Sequence, residues 1–191
     1  MNILPVFCDI DDFCLVFEPR WHQQLLTVGE RQRRRSTTLS LSEVMTIMVL
    51  FHSSGYRDFK TFYTQHVQQH LGAAFPRLVS YNRCVELQRG ALVPFCAYLQ
   101  TRQGECQCHG ISFVDATAVR VCHNQRIHSQ RVFRGLAARG KTSVGWFFGF
   151  KLHLVINECG ELLGVRLTPD NTDDRRPVPA LVKKLWGKLI W

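Results

Sequence analysis

The sequence predicts an α+β or α/β protein in which a helical N-terminal region precedes a mainly antiparallel sheet and one further helix. In the first hundred residues, apolar side chains recur at three- and four-residue spacing, as in helices that pack on a core. From residue 111, apolar and polar residues alternate in runs separated by Gly- and Asn-containing turns, which is typical of strands. We place the boundary in the Gly- and Cys-rich connector 104–110, giving regions 1–104 and 105–191.

Four helical segments are predicted in the N-terminal region, and a basic run at 31–35 falls in a loop between the first two. They cover residues 3–26 with an interruption at Pro19, 41–52, 58–70, and 80–102 with Pro94 as a kink or a new start. The sequence Ser40-Leu41-Ser42-Glu43 is typical of a capping box. The segments 41–52 and 58–70 have the spacing of a helix-turn-helix, so DNA binding by region 1–104 is one interpretation. The second segment begins near the acidic Asp58 and contains few Lys or Arg residues, which counts against a role in reading the DNA groove.

The C-terminal region predicts a strand at 111–121, a polar and basic loop at 123–145, and a hairpin of strands 147–156 and 161–168. A helix at 178–186 and the opening of another strand at 188–191 follow. Three antiparallel strands, a crossover helix and a parallel fourth strand form the first half of a ribonuclease-H-like fold, incomplete in this sequence, although several α/β folds begin similarly.

Composition favours a polyanionic partner. The formal net charge is +9, which points to nucleic acid first and to an anionic membrane surface second. No apolar stretch approaches the ~20 residues of a membrane span, and the first twelve residues are acidic rather than basic, unlike a secretory signal. A cytoplasmic protein with reduced thiols is therefore predicted.

A cluster of potential zinc ligands occurs in the connector. Cys106, Cys108 and His109 lie close together, but a structural zinc site needs four ligands and no matching pair follows. The pattern favours ordinary loop and core thiols over a zinc site.

Asp115 is the main candidate for catalysis and for metal binding. It lies near the middle of an apolar, β-prone run, where an unpaired charge would be costly to bury, so a partner such as a divalent metal is expected. From the pattern alone, a metal role and a hydrogen-bonded structural role are equally supported. Asp173 and Asp174 follow the hairpin, and their position favours an Asx turn or helix cap over a contribution to the site.

Basic residues around Asp115 are candidates for phosphate contacts. A patch of this kind gives salt-sensitive affinity that does not depend on base sequence. The candidates for nucleic-acid binding are Arg126, Arg131, Arg134, Arg139, Lys141 and Lys151. The alternative is a solvated basic face without a ligand.

Five sequence blocks occur in a characteristic order along the chain. The most specific is Gly145-Trp146-Phe147-Phe148-Gly149-Phe150-Lys151-Leu152-His153. The others are Phe113-Val114-Asp115-Ala116-Thr117 and the blocks at 121–127, 135–141 and 171–175. Together they resemble the DDE transposases of bacterial insertion sequences, specifically the family numbered nine-eight-two. One departure is Asp170, which stands where this family would have Gly.

This resemblance implies a ribonuclease-H-like core in which three acidic residues hold two Mg²⁺ ions and cut and join DNA at element ends. Asp115 matches the first acid. The second, an Asp just beyond a Gly-Lys-Leu segment like Gly187-Lys188-Leu189, and the third, a more distant Glu, are not in this sequence. The resemblance therefore implies a C-terminally truncated copy in which Mg²⁺ binding is weak or absent.

Three hypotheses follow for the function. The first is a transposase, inactive in this form, whose partners are the terminal repeats of the element, target DNA and a possible second copy of the chain. The second is a DNA-binding fragment without catalysis that inhibits transposition. The third is a relic that folds poorly because an incomplete sheet exposes an edge.

Overall fold

A computed structural model describes residues 2–27, 38–106, 109–142, 145–183 and 185–190. The chain divides into two compact units, Met1–Leu99 and Gln100–Trp191. The basic run 31–35 lies outside the described residues. Among the residues that the structure describes, no helix is both long enough and apolar enough to cross a membrane.

The first unit is helical. Its elements are α1 (Ile3–Thr27), α2 (Leu41–His52), α3 (Phe59–Thr61), a π-helical segment (Phe62–Val67), α4 (Gln68–His70), α5 (Tyr81–Gly90) and α6 (Leu92–Glu105), the last of which runs into the second unit. The core is built from apolar residues at helical spacing, and Met45, Ile47, Tyr63 and Val67 are fully buried. The buried Tyr63 hydroxyl donates a hydrogen bond to the Val79 carbonyl at 2.6 Å, which satisfies its polar atom.

The predicted capping box is confirmed. The Ser40 hydroxyl accepts a hydrogen bond from the Glu43 N–H at 3.1 Å, and the Glu43 carboxylate accepts one from the Ser40 N–H at 2.7 Å. The helix at 58–70 is also confirmed, with Asp58 as its N-cap through the Thr61 N–H. Its central π-helical segment was not predicted.

One expectation for the helices was wrong, and of the two alternatives for Pro94, the start of a new helix is the correct one. Pro19 does not interrupt the first helix, since α1 continues through it. Both Pro19 and Leu15 are exposed, so the carbonyl that loses its hydrogen bond can face water. The segment 80–102 is two helices that break at Ala91, and Pro94 lies in the first turn of the second, where its missing N–H costs little.

The second unit is a mixed sheet of five strands. They are β1 (Ile111–Cys122), β2 (Ala138–Thr142), β3 (Gly145–Asn157), β4 (Leu162–Pro169) and β5 (Lys188–Ile190). β3 pairs antiparallel with β1 along one edge. Along its other edge, it pairs with β2 over residues 145–149 and with β4 over residues 150–156, so β2 and β4 follow one another on that edge.

β5 extends the sheet beyond β1 in the parallel direction, as predicted. Ile111 pairs with Lys188, and Phe113 pairs with Ile190. Gly187, with a φ of 97°, lets the chain pass against Gly110, whose carbonyl accepts a hydrogen bond from the Lys188 N–H at 2.6 Å. A Cβ at position 187 would overlap the Gly110 backbone, so this entry into β5 requires glycine.

One face of the sheet carries a small core. Val114 of β1 and Val155 of β3 pack with Val178 from a short helix, α7 (Val178–Leu181). Partly buried apolar side chains from β4, α7, β5 and the segment after α7 surround them. Because side chains alternate along strands, the neighbours of Val114 in sequence point to the opposite face.

Three expectations for this unit were wrong in part. The region 123–145 is not simply a loop, since it contains a 3-10 helix (Asn124–Ser129) and β2. The helix predicted at 178–186 ends at Leu181, after which Val182 and Leu185 turn to cover the core. The connector 104–110 begins inside a helix, because α6 extends to Glu105.

Candidate functional site

Asp115 lies in the middle of β1, opposite Leu154 of β3. Its side chain is exposed, whereas Val114 beside it is buried on the other face. The Oδ1 atom of Asp115 accepts a hydrogen bond from the Ala116 N–H at 2.7 Å. The expectation that this carboxylate is buried was therefore wrong: β1 is covered on one face, and Asp115 is on the other.

The strand register defines which side chains share this face. Partners across an antiparallel pair point to the same side. Leu154 and every second residue back to Trp146 therefore lie on the face of Asp115, as do Lys141 and Arg139, which pair with Trp146 and Phe148. We call this surface the Asp115 face; its members include Phe113, Asp115, Thr117, Arg139, Lys141, Trp146, Phe150, Leu152 and Leu154.

The described residues supply one carboxylate to a metal site on this face. Among them, no group of three or more His, Cys, Asp or Glu side chains is arranged to hold a metal ion. Magnesium in proteins is usually held by one or two carboxylates together with waters and substrate oxygens. Asp115 fits the role of one ligand, but the residues described here do not form a complete metal site.

The predicted phosphate-binding residues fall into two groups. Five of them are exposed on the 3-10 helix, the segment after it and β2: Arg126, Arg131, Arg134, Arg139 and Lys141. Lys151 differs, because its ammonium lies 3.0 Å from Asp174 Oδ1 and donates a hydrogen bond to the Thr172 carbonyl at 3.2 Å. Its register also places it on the face opposite Asp115.

Asp173 and Asp174 form local contacts. Asp173 Oδ1 accepts a hydrogen bond from the Arg175 N–H at 2.9 Å, an Asx-type turn. Asp174 pairs with Lys151, and this pairing puts its carboxylate on the face away from Asp115. The favoured interpretation of these two residues as turn and surface-pair residues agrees with these contacts.

A buried polar cluster lies on the face opposite Asp115. Asp170 is 1% exposed, and neither of its carboxylate oxygens has a hydrogen-bond partner of good geometry in the described part of the chain. Burial raises the pKa of Asp170 above its usual value, and the Lys151 ammonium opposes that rise. Nearby, the buried His153 ring shares a hydrogen bond with the Thr168 hydroxyl at 2.9 Å, and burial lowers its pKa.

Sequence reasoning missed the burial of Asp170. The residue follows a strand within a Pro-Asp-Asn-Thr sequence, which predicts an exposed turn. Its environment comes instead from β2, where Gly140 lies so close to Asp170 that a Cβ at position 140 would overlap the carboxylate. The only local signal was the replacement of an expected Gly by Asp.

The residues of the zinc hypothesis are only partly described. Cys106 Sγ donates a hydrogen bond to the Arg102 carbonyl at 3.1 Å, and His109 Nδ1 lies 3.4 Å from Glu158 Oε1. Cys108 lies outside the described residues. The contacts of Cys106 and His109 are those of ordinary polar side chains.

The second unit is thus an α+β domain that displays Asp115 from the central strand β1, with exposed basic residues on β2 and on the segment before it. Residues 105–191 match a protein family described as "Transposase DDE domain". The match covers nearly all of the second unit and slightly less than half of the chain. It supports a DDE transposase, a class that acts on DNA and generally uses divalent metal ions.

The other comparisons give no further relatives. No curated protein matches the chain. No solved structure matches it either.

Proposed function

We propose that this chain is a DNA transposition protein whose second unit is built on a ribonuclease-H-like plan, with Asp115 as its first catalytic acid. The supporting observation is the position of Asp115, which is exposed on a central strand with the parallel strand β5 beside it, in a region that matches a DDE domain. The sequence blocks around 113–117 and 145–153 support the insertion-sequence family numbered nine-eight-two. A cytoplasmic location remains a prediction.

Magnesium is the proposed cofactor of the intact site. When bound, paired divalent ions activate an attacking oxygen and stabilise the leaving oxygen of a phosphodiester. In this chain, Asp115 would contribute one ligand. The neighbouring strand β5 runs parallel to β1 and pairs Phe113 with Ile190, which is the arrangement needed for a second strand-borne acid near Asp115.

DNA is the proposed substrate, and the exposed basic group on and before β2 is its proposed contact. In the part of the chain that the structure describes, these residues are exposed and none is ion-paired with a carboxylate: Arg126, Arg131, Arg134, Arg139 and Lys141. Lys151 remains a predicted contact, but its ion pair with Asp174 must be broken before it can neutralise a phosphate. Contacts of this type position a duplex without reading its sequence.

The DNA-binding proposal is tested by fluorescence anisotropy on a labelled duplex at several salt concentrations. A variant with all five exposed basic residues changed to Gln should bind more weakly. If each contacts a phosphate, the slope of log affinity against log salt should fall by up to about 4 to 5 units. A matched control that changes five other exposed basic residues (Arg57, Lys60, Arg77, Arg83 and Arg89, all in the first unit) separates this patch from net charge. Equal losses in both variants would contradict a localised contact.

The second candidate function is a DNA-binding protein without catalysis that inhibits transposition. It is supported by the exposed basic residues of the second unit, which can contact phosphates without a complete metal site. The test adds the chain to an intact transposase acting on terminal repeats, with random duplex as the competitor control. Inhibition that depends on repeat sequence supports this function, and equal weak binding to both DNAs would exclude it.

A further inference from the structure

Trp146 is a large aromatic side chain held at the surface by a fixed backbone. It lies at the start of β3, and its side chain is 54% exposed. Its carbonyl accepts a hydrogen bond from Asn124 Nδ2 at 2.7 Å, which ties the strand to the 3-10 helix. The two residues after it, Phe147 and Phe148, are buried, so the strand that carries the indole is packed in place.

A planar cation lies on this indole. The guanidinium carbon of Arg139 is 5.1 Å from the Trp146 ring centroid, a cation–π distance. Lys141 is the direct cross-strand partner of Trp146 and is also exposed. The result is a flat aromatic and guanidinium surface flanked by positive charge, on the same face as Asp115.

We propose that Trp146 and Arg139 form a stacking site for an unpaired nucleobase, an inference that rests on the proposed DNA-binding function. Proteins that bind single-stranded nucleic acid combine basic grooves with aromatic side chains on which bases stack. A duplex keeps its bases stacked on each other and offers this surface only phosphates, for which an indole is a poor partner. A base freed from its pair offers a flat ring to the exposed part of Trp146, while Lys141 neutralises the adjoining phosphate.

The sheet fixes how far this site lies from Asp115. Trp146 and Leu154, the partner of Asp115, are eight positions apart on β3. At ~3.3 Å per residue, this separation is about 26 Å. In a duplex, in which each strand rises ~3.4 Å per nucleotide, this distance corresponds to about seven or eight nucleotides. The base that stacks on Trp146 is therefore several nucleotides away from the phosphate that lies near Asp115.

The test compares W146L, W146F and the matched control W186L. Trp186 is 66% exposed and lies beside Gly110, at the opposite end of β1 and β3, so its loss removes an indole of similar exposure from another place. Three labelled probes are titrated: an oligodeoxythymidine, an abasic oligomer of equal length, and a duplex. W146L should bind the oligodeoxythymidine about 5- to 140-fold more weakly, with little change for the abasic oligomer and the duplex. W146F should retain most of the affinity, and W186L should behave as wild type.

A second measurement needs no folded variant. A single strand carrying 2-aminopurine, a fluorescent base that is quenched on stacking, should lose fluorescence when wild-type protein binds. Absence of quenching on saturated binding would overturn the inference, as would a W146L variant that weakens all three probes equally. Failure of the proposed DNA-binding function gives a different result, because wild-type protein would then bind none of the three probes. That result would contradict both the DNA-binding proposal and the stacking site.

Discussion

At the scale of single residues, Asp170 is unusual because its carboxylate is buried without a hydrogen-bond partner of good geometry in the described part of the chain. A buried carboxylate normally has hydrogen-bond partners, because burying an unpaired charge is costly. Asp170 is almost fully buried, and the Lys151 ammonium, which opposes the rise of its pKa, is paired with Asp174. Its raised pKa means that folding favours the protonated form.

The change D170N tests this cost. The folded-state pKa lies above the unfolded value, so the folded state binds more protons in the interval between them, and its stability falls as pH rises through that interval. Asn removes the charge without changing the shape. The free energy of unfolding of D170N should exceed that of wild type at pH 7, and the difference should shrink as the pH is lowered toward the ordinary Asp value.

Urea denaturation of wild type and D170N at a series of pH values measures this difference in the free energy of unfolding. D173N serves as the control, since Asp173 is exposed in the same loop. A D170N variant that is less stable than wild type at pH 7 would contradict the account, because it would mean that the Asp170 carboxylate gains more from Lys151 than burial costs it.

At the scale of elements, the start of α2 depends on a local sequence signal. The Ser40 box has reciprocal hydrogen bonds of 3.1 and 2.7 Å, whereas Ser80 caps α5 through a single bond of 3.4 Å to the Arg83 N–H. S40A should therefore lower the free energy of unfolding by about 1 to 2 kcal/mol, and S80A by less. Chemical denaturation of both variants checks this order, and a larger loss in S80A would contradict it.

The attachment of β2 depends on Gly140. A Cβ at this position would overlap the Asp170 carboxylate and lie 2.7 Å from the Asp170 carbonyl oxygen. G140A should cost about 1 to 3 kcal/mol in the free energy of unfolding, since the closely packed junction of β2 with the end of β4 must shift. G55A is the control, because no atom lies within 4 Å of its added Cβ.

A double variant separates the two sources of this strain. In G140A/D170G the side-chain overlap is gone but the close backbone oxygen remains, so part of the stability should return. A double variant no more stable than G140A would show that the carboxylate is not what Gly140 accommodates.

The elements that sequence could predict are those with local signals. The capping box at Ser40, the alternation along β3 and the turn at 158–160 each depend on neighbouring residues, and all three are present. β2 has no such signal: its sequence Ala-Arg-Gly-Lys-Thr lacks apolar alternation, and the strand pairs because the edge of β3 at 145–149 is available. α7 ends early because the chain must return to place β5 beside β1.

The sequence could identify candidate residues of the site, but not which of them lie together on one face of the sheet. Asp115 could be selected from its place in an apolar run, yet its exposure depends on which face of β1 the Val114 core covers. The separation of Lys151 from Arg139 and Lys141 likewise follows from register, which no local pattern gives. Trp146 gave no sequence signal beyond its place in a family block.

At the scale of the whole molecule, the proposed function predicts that the polypeptide of residues 1–191 binds DNA. This polypeptide carries a net charge of +9, and Asp115 is the one acidic residue within the described strands. On a plasmid bearing element ends, with Mg²⁺ or Mn²⁺, we expect retention of DNA but no end-specific cleavage by this polypeptide. Robust cleavage would contradict the one-acid description of the site.

The central claim is that Asp115 is a metal ligand on the exposed face of the sheet. Mn²⁺ titration followed by NMR tests it most directly, because paramagnetic broadening reports even weak binding by position. Broadening should centre on the amide signals nearest Asp115, such as those of Thr117 and Leu154, should vanish in D115N, and should persist in D173N. Broadening that is unchanged in D115N, or that centres on the Asp173 and Asp174 loop, would contradict the claim.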